Sequence, residues 1–350
     1  MTSRTLVARV TEMRDALATM SSGSITYLTH RRLKVHCATT KIRHFQGIRA
    51  SSGSSGSSGS APGGSPPLKS RIGIIGVGQM SEALLRGFLS SGVSTPGRIS
   101  ASVTSVERME LLSSLGVGNI FEDACAGGAE GVARCSDVIM LGVKPQSMPA
   151  VLEALAPHVE SRHLVLSIAA GIRLATLERA LGQGVRVVRV MPNTPCLVQS
   201  GASAYALGSH ATLEDGELVH RLLSSVGLAI QVKEKMMDAV TGVSGSGPAY
   251  VFLMIEALAD GGVAAGLPRD IALALAAKTV AGAAQMIFQG DEHSISGMAH
   301  PGVLKDKVTS PGGTTITGLS ELENAGVRAG FINAVKAAAR RSEELNSNSN

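Results

Sequence analysis

Residues 71–92, RIGIIGVGQMSEALLRGFLSSG, constrain the fold more than any other part of the chain. Ile72, Ile74 and Ile75 make a short apolar run that suits a strand buried on both faces, as in a parallel sheet. Gly76-Val77-Gly78 interrupts it, and Met80 to Leu89 reads as a helix. A strand that closes on Gly-x-Gly and opens into a helix is the first unit of a dinucleotide-binding fold. Gly76 permits the tight turn, and Gly78 lets a pyrophosphate approach bare N–H groups at the helix start. Gly76, Val77, Gly78, Gln79 and Met80 are the expected cofactor contacts here. The third position of the fingerprint holds Ser81 where Gly or Ala is usual, a residue still small enough for close helix–strand packing.

Four further segments extend the pattern: 98–102, 136–145, 163–171 and 185–195 each read as a strand, which predicts an open doubly wound α/β sheet. The end of the second strand sets the cofactor. An acid there would hold the ribose 2′-OH of NAD, but SASVTSVERM offers none before Glu107. Ser102, Thr104, Ser105 and Arg108 suit a 2′-phosphate instead, so NADPH is expected, with NADH left open. Ligands of such sheets bind at the carboxyl ends of the strands. Val143, Lys144 and Pro145, Ala169 and Ala170, and Asn193 occupy that edge and are read as further cofactor contacts.

Charge is distributed unevenly. Residues 1–69 carry ten Lys or Arg against Glu12 and Asp15 alone, so the net +5 of the chain hides a mildly acidic body. An acidic body argues against nucleic-acid binding, which needs a basic face on the folded part. The leader ends in SSGSSGSSGSAPGGSPP, too polar and flexible to pack. An acid-poor, Ser- and Arg-bearing leader before a linker reads as a plastid or mitochondrial transit peptide over 1–68, the alternative being a cytoplasmic protein with a tail. Cys37, Cys125, Cys135 and Cys196 show no metal-type or C-x-x-C spacing and are expected as free thiols, with no metal site. No uninterrupted apolar run approaches ~18 residues, so no membrane span is expected.

Beyond residue 233 the pattern changes to long Ala- and Gly-rich helices. GLPRD (266–270) reads as a helix stop and restart with Pro268 in the new first turn. Helices apolar on more than one face must be covered by one another or by a second subunit. The expected domains are therefore 69–233, of Rossmann type, and 234–345, all-α and dimerising, with 346–350 a disordered tail. A homodimer is expected, a higher homo-oligomer left open. One turn stands out: TSPGGTT (309–315) ends one helix and starts another, leaving N–H groups and hydroxyls at a fresh helix N-terminus, a natural anion cradle.

Taken together, VTGVSGSGPAYVFLMIEALADGGVAAGLP, HPGVLKDKVTSPGGTTITGLSELE and MPNTPCLVQSGASAYALG resemble the pyrroline-5-carboxylate reductase family over roughly residues 70–345, in a plant- or algal-like variant. The resemblance implies NADPH-dependent reduction of a cyclic imine carboxylate, the small-molecule substrate pyrroline-5-carboxylate, to proline. It implies that Ser310, Gly312, Gly313 and Thr314 hold the substrate carboxylate, that Thr315 lies near the ring nitrogen as the catalytic hydroxyl, and that Glu234 lines the substrate site. Lys307 stands where the family carries Asn or Asp, and Ala129 where it has a cofactor-contacting Asn, so neither side chain is expected to serve. Two other readings fit the pattern. One is a β-hydroxyacid-dehydrogenase-like reductase, with Lys278 as the tempting catalytic lysine; the other is a non-catalytic dinucleotide-sensing dimer.

Overall fold

Apolar runs without polar alternation suit strands covered on both faces, and the first half of the chain is built from them. This computed structural model describes residues 67–122, 126–290 and 297–347; the leader, Cys37 and Cys125 lie outside them. In it β1 (Ile72–Ile75), β2 (Ile99–Val103), β4 (Val138–Leu141) and β5 (Leu164–Ser167) are buried at every position. With β3 (Asn119–Glu122), β6 (Arg186–Met191), β7 (Gly201–Leu207) and β8 (Gly227–Gln231) they form one sheet, ordered β3-β2-β1-β4-β5-β6-β7-β8. β1 runs parallel to both neighbours, with Ile74 opposite Ala101 and Met140. Chain direction reverses only between β6 and β7, where Val190 faces Tyr205. The sequence reading located β1, β2, β4, β5 and β6, and did not name β3, β7 or β8.

Helices cover both faces. Ile72 and Ile74 join one apolar cluster with Leu84, Leu85 and Phe88 of α1 (Gln79–Ser90), Leu112 of α2 (Val106–Ser114), and Val219 and Leu222 of α6 (Leu213–Ser224). Ile75 turns into the other, with Val132 of α3 (Ala126–Cys135), Leu155 of α4 (Met148–Leu155) and Leu177 of α5 (Leu174–Leu181). Each wholly buried Leu or Ile contributes about 1.5–3 kcal/mol over an exposed one, so this half holds itself together. Asp215 shows how tightly it is tied. It closes a capping box with Thr212 on α6 and accepts from Arg186 of β6 at 2.7 Å.

The helical half starts with a tight turn at Glu234–Met236, then α7 (Met237–Val240) and a π-helical turn at Thr241–Gly245. α8 (Gly247–Ala264) and α9 (Arg269–Phe288) pair through the buried alanines Ala259, Ala272 and Ala276. Gly266, at φ +101°, makes the bend between them. Pro268 caps α9 from just outside rather than standing within its first turn. α10 (Pro301–Val308), α11 (Thr314–Asn324) and α12 (Val327–Ser347) complete the chain. α12 lies against α7 and the π turn, where a Cβ on Gly242 would stand 2.6 Å from the Val335 carbonyl oxygen. The apolar side chains of α8 and α9 are largely exposed in the single chain. By length and composition alone α9 is apolar enough to cross a membrane, although Lys278 breaks its apolar run.

Candidate active site

Loops from the carboxyl edge of the sheet enclose a cleft of about 320 Å3, lined by Gly76, Val77 and Gly78, by Val103, Thr104, Ser105 and Arg108, and by Gly142 to Lys144 with Ser147 and Val151. The two glycines of the turn serve different ends. Gly76 has φ +84°, and a Cβ there would lie 2.4 Å from Val143 Cγ1, so the fold itself requires it. Gly78 is extended, caps α1, and would place a Cβ in open space. Nothing in the protein demands a glycine there, whereas a pyrophosphate resting on the N-terminus of α1 does. The cleft therefore fits a dinucleotide. Ser81 at the third fingerprint position is explained too: its hydroxyl donates to the Gly76 carbonyl at 2.9 Å and pins the turn. Opposite it, a Cβ on Gly142 would fall 1.9 Å from Ser81 Oγ. Gly142 was not picked out from the sequence, although it follows the apolar run of β4 directly.

At the end of β2 one expectation is corrected. Ser102 lies inside the strand, wholly buried, with its hydroxyl unpartnered and outside the lining of the cleft. Strand alternation turns it into the sheet's helical cover, so its side chain cannot meet a 2′-phosphate. Thr104, Ser105 and Arg108 do face the cleft. Ser105 caps α2 by accepting from the Arg108 N–H at 3.4 Å. The Arg108 guanidinium pairs with Glu82 of α1, which also accepts from Arg86 Nε at 2.8 Å. Burial pushes the Glu82 carboxyl up, but hydrogen bonds from Arg86 and Arg108 outweigh it and hold the group below the usual range. Glu82 and Arg86, four residues apart on one helix, are legible in the sequence; the reach across to Arg108 is not.

The remaining expected residues scatter around this edge. Val143 and Lys144 line the cleft. Pro145 opens a short turn beside it, Gln79 and Met80 begin α1, and Ala169 is buried while Ala170 is exposed after β5. Asn193 is buried, and its amide is committed to the protein: Nδ2 donates to the Ser244 carbonyl at 3.1 Å and Oδ1 accepts from the Ala202 N–H at 2.8 Å. It thus ties the end of β6 to β7 and to the π turn. Glu234 stands at the junction of the halves, its Oε1 accepting from the Leu174 N–H at 2.6 Å.

The segment 310–315, read from the sequence as an anion cradle, lies apart from this cleft. Gly312 adopts φ +65°, and a Cβ on Gly313 would lie 2.4 Å from Ser310 Oγ. Among the described residues no side chain caps α11 at Gly313, so the first N–H groups of that helix have no intrahelical partner. The hydroxyls of Ser310, Thr314 and Thr315 likewise hold no partner among the described residues. None of these residues lines the dinucleotide cleft, and α11 packs on α12. Lys307 is exposed, and Ala129 is buried in the core of α3. Cys135 and Cys196 are free thiols, and no group of metal-ligating side chains occurs among the described residues.

Comparison with known proteins places this architecture. A family model described as pyrroline-5-carboxylate reductase dimerisation matches residues 234–345, and one described as NADP oxidoreductase coenzyme F420-dependent matches 71–171. A pyrroline-5-carboxylate reductase of Arabidopsis thaliana is 49% identical, covering 80% of this chain and 97% of its own length. The chain belongs to the pyrroline-5-carboxylate reductase family. One of Methanosarcina acetivorans is also 49% identical, over 79% of this chain and 97% of the relative. The crystal structure of Plasmodium falciparum pyrroline carboxylate reductase, with NADP bound, superposes with a TM-score of 0.70 at 32% identity, covering 80% of this chain and 99% of that one. Membership makes the chain an NAD(P)-dependent oxidoreductase with a Rossmann-like domain and a helical dimerisation domain.

Proposed function

We propose that this chain reduces 1-pyrroline-5-carboxylate to L-proline with NADPH, the final step of proline synthesis, as a homodimer. When bound, NADPH supplies a hydride to the C=N carbon of the imine, whose nitrogen takes a proton and ends as an amine. The chain's own residues bind and orient. The N-terminus of α1 at Gly78 takes the pyrophosphate, and Thr104, Ser105 and Arg108 take the 2′-phosphate. The N–H groups of Thr314 and Thr315 with the Ser310 hydroxyl take the substrate carboxylate. The Thr315 hydroxyl is left to hydrogen-bond the ring nitrogen.

The observation that carries the reading is the pair of incomplete half-sites in one chain. Hydride transfer needs reacting atoms within about 3.5 Å, yet the 310–315 turn does not line the cleft. The exposed apolar faces of α8 and α9 supply the means, since two copies joined there would bring one chain's turn to the other's cleft. Turnover of NADPH with pyrroline-5-carboxylate by the full chain tests this. NADPH binding without turnover would leave a redox sensor, and turnover of a β-hydroxyacid alone would favour the dehydrogenase reading. We also infer that residues 1–68 address the chain to a plastid or mitochondrion, on the strength of their acid-poor composition. Diffuse cytosolic fluorescence from a reporter fused behind them would overturn that.

A further inference from the structure

Arg189 lies inside β6 with 4% of its surface exposed. A guanidinium that deep requires partners. Across the sheet it faces Ser167 of β5 and Ala206 of β7, small residues that leave room for its side chain. Its Nη1 donates to Glu234 Oε1 at 3.4 Å, and Nη2 lies 3.9 Å from Asp238 Oδ1. Glu234 and Asp238 are four residues apart, so the turn that opens the helical half presents both carboxylates to one cation. From the far end of the chain, the Ser342 hydroxyl on α12 donates to Asp238 Oδ1 at 2.6 Å.

Glu234 is held unevenly by this arrangement. Oε1 accepts from the Leu174 N–H and from Arg189, whereas Oε2 accepts no hydrogen bond among the described residues, and the side chain is 32% exposed. With the side chain partly exposed, Oε2 needs no protein partner and stays open to water or to a bound ligand. Holding Oε1 from two sides fixes the direction in which Oε2 can meet a ligand. We propose that Arg189 is a positioning residue for imine reduction: it clamps Glu234 so that Oε2 is presented to the substrate, and it sets that aim from the sheet rather than from the helical half. The inference rests on Glu234 facing the substrate.

A double-mutant cycle on the full chain tests it, with Glu234→Gln, Arg189→Lys and the pair. Arg189→Lys keeps a positive charge but loses the planar fork. It lowers kcat/KM for the imine about 10- to 100-fold, as expected when a substrate contact is misplaced, while the Kd for NADPH stays within about twofold. Glu234→Gln causes a loss of the same order, and the double variant is no worse than either single one, since both remove one interaction. Losses that multiply, or an NADPH Kd that rises in step with the imine KM, overturn the role assigned to Arg189 and leave Glu234 as a substrate residue. An unchanged kcat/KM in Glu234→Gln alone defeats the underlying reading instead. Arg189→Met, which removes the charge, extends the series where it folds; Arg189→Lys carries the test where it does not.

Discussion

Leu84 and Leu85 of the sheet half are wholly buried, while Leu253 and Leu275 of the helical half are 67% and 55% exposed. Both pairs are leucines on helices, but α1 carries one apolar face opposite a polar one, whereas α8 and α9 are apolar on more than one face. The sheet supplies two broad faces for helices to cover, so the first half buries its apolar residues within one chain. Among its described residues the second half has no sheet, and its paired helices enclose little beyond three alanines. An apolar helix face tells that burial must occur, and only the surrounding architecture tells whether the cover comes from the same chain.

That contrast can be broken most forcefully at the helical surface. Leu253→Asp with Leu275→Asp places charge where a partner's helices are proposed to sit, and two-fold symmetry repeats the damage in both copies. Light scattering is expected to show monomers. Imine turnover should fall by more than about 100-fold while NADPH binding persists, since the intrachain core is untouched. A dimer that survives with full activity would place the interface elsewhere.

Within the sheet half, the two glycines sharpen the comparison. Gly78→Val is expected to weaken NADPH binding about 100-fold, blocking a charged contact with several N–H groups, while costing at most about 1 kcal/mol at the helix cap. Gly76→Ala should do the reverse. Its left-handed backbone and the closeness of Val143 make it destabilising by about 1–3 kcal/mol. Equal effects on melting would erase the distinction between a glycine kept for the ligand and one kept for the fold.

Smaller effects follow at the two half-sites. Thr315 does not cap α11, so Thr315→Ala is expected to spare stability and lower kcat/KM for the imine roughly 10- to 100-fold, with recovery in Thr315→Ser. Unchanged kinetics in the Ala variant would remove the hydroxyl from the reaction. Arg108→Met should raise the KM for NADPH about tenfold and leave NADH alone, because NADPH differs by the 2′-phosphate and Glu82 keeps Arg86 as its partner. A parallel rise for both cofactors would reassign it.

The smallest effect is a pH dependence confined to the sheet half. Burial holds the His163 imidazole below its usual 6.5, where its Nδ1 accepts from the Glu160 N–H at 2.8 Å. Its other nitrogen bonds the Ala133 carbonyl at 3.0 Å. The unfolded chain binds a proton first on acidification. The stabilising contribution is therefore complete above pH 6.5 and is lost as pH falls from there toward the folded value. Melting should drop as pH falls from 7 through this range, and His163→Gln should flatten the trend. The same slope in the variant would point to another group.

How much of this was legible follows from the same physics. Ile72 to Ile75 announced a buried strand because a strand covered on both faces has no polar residues to hide it. Asn119–Glu122 and Gly201–Leu207 went unnamed, the first lying at the sheet edge and partly exposed, the second built from small residues without β-branched bulk. The glycine turn was readable because ligand and backbone geometry both leave marks in residue type. Ser102 misled because sequence position places a residue near a strand end but does not say which face it takes. Asn193 and Arg189 bind partners 51 and 45 residues away in sequence, a spacing that no local pattern encodes. The 310–315 turn was recognised by its residues, but its separation from the cleft became visible only in three dimensions.

The place of Ser342 bears on how the protein is made. α12 is the last helix, and it closes on Asp238, which shares Arg189 with Glu234. During synthesis the sheet half leaves the ribosome first, and α12 follows Gln231 by roughly ten seconds at typical elongation rates. Glu234 and Asp238 follow Gln231 within about a second, so Arg189 meets its carboxylates early, and the contact that must wait is the Ser342 hydroxyl on Asp238. A chain interrupted before α12 would carry a finished dinucleotide cleft and an Arg189–Glu234 pair, with Asp238 lacking its Ser342 donor and the π turn left uncovered.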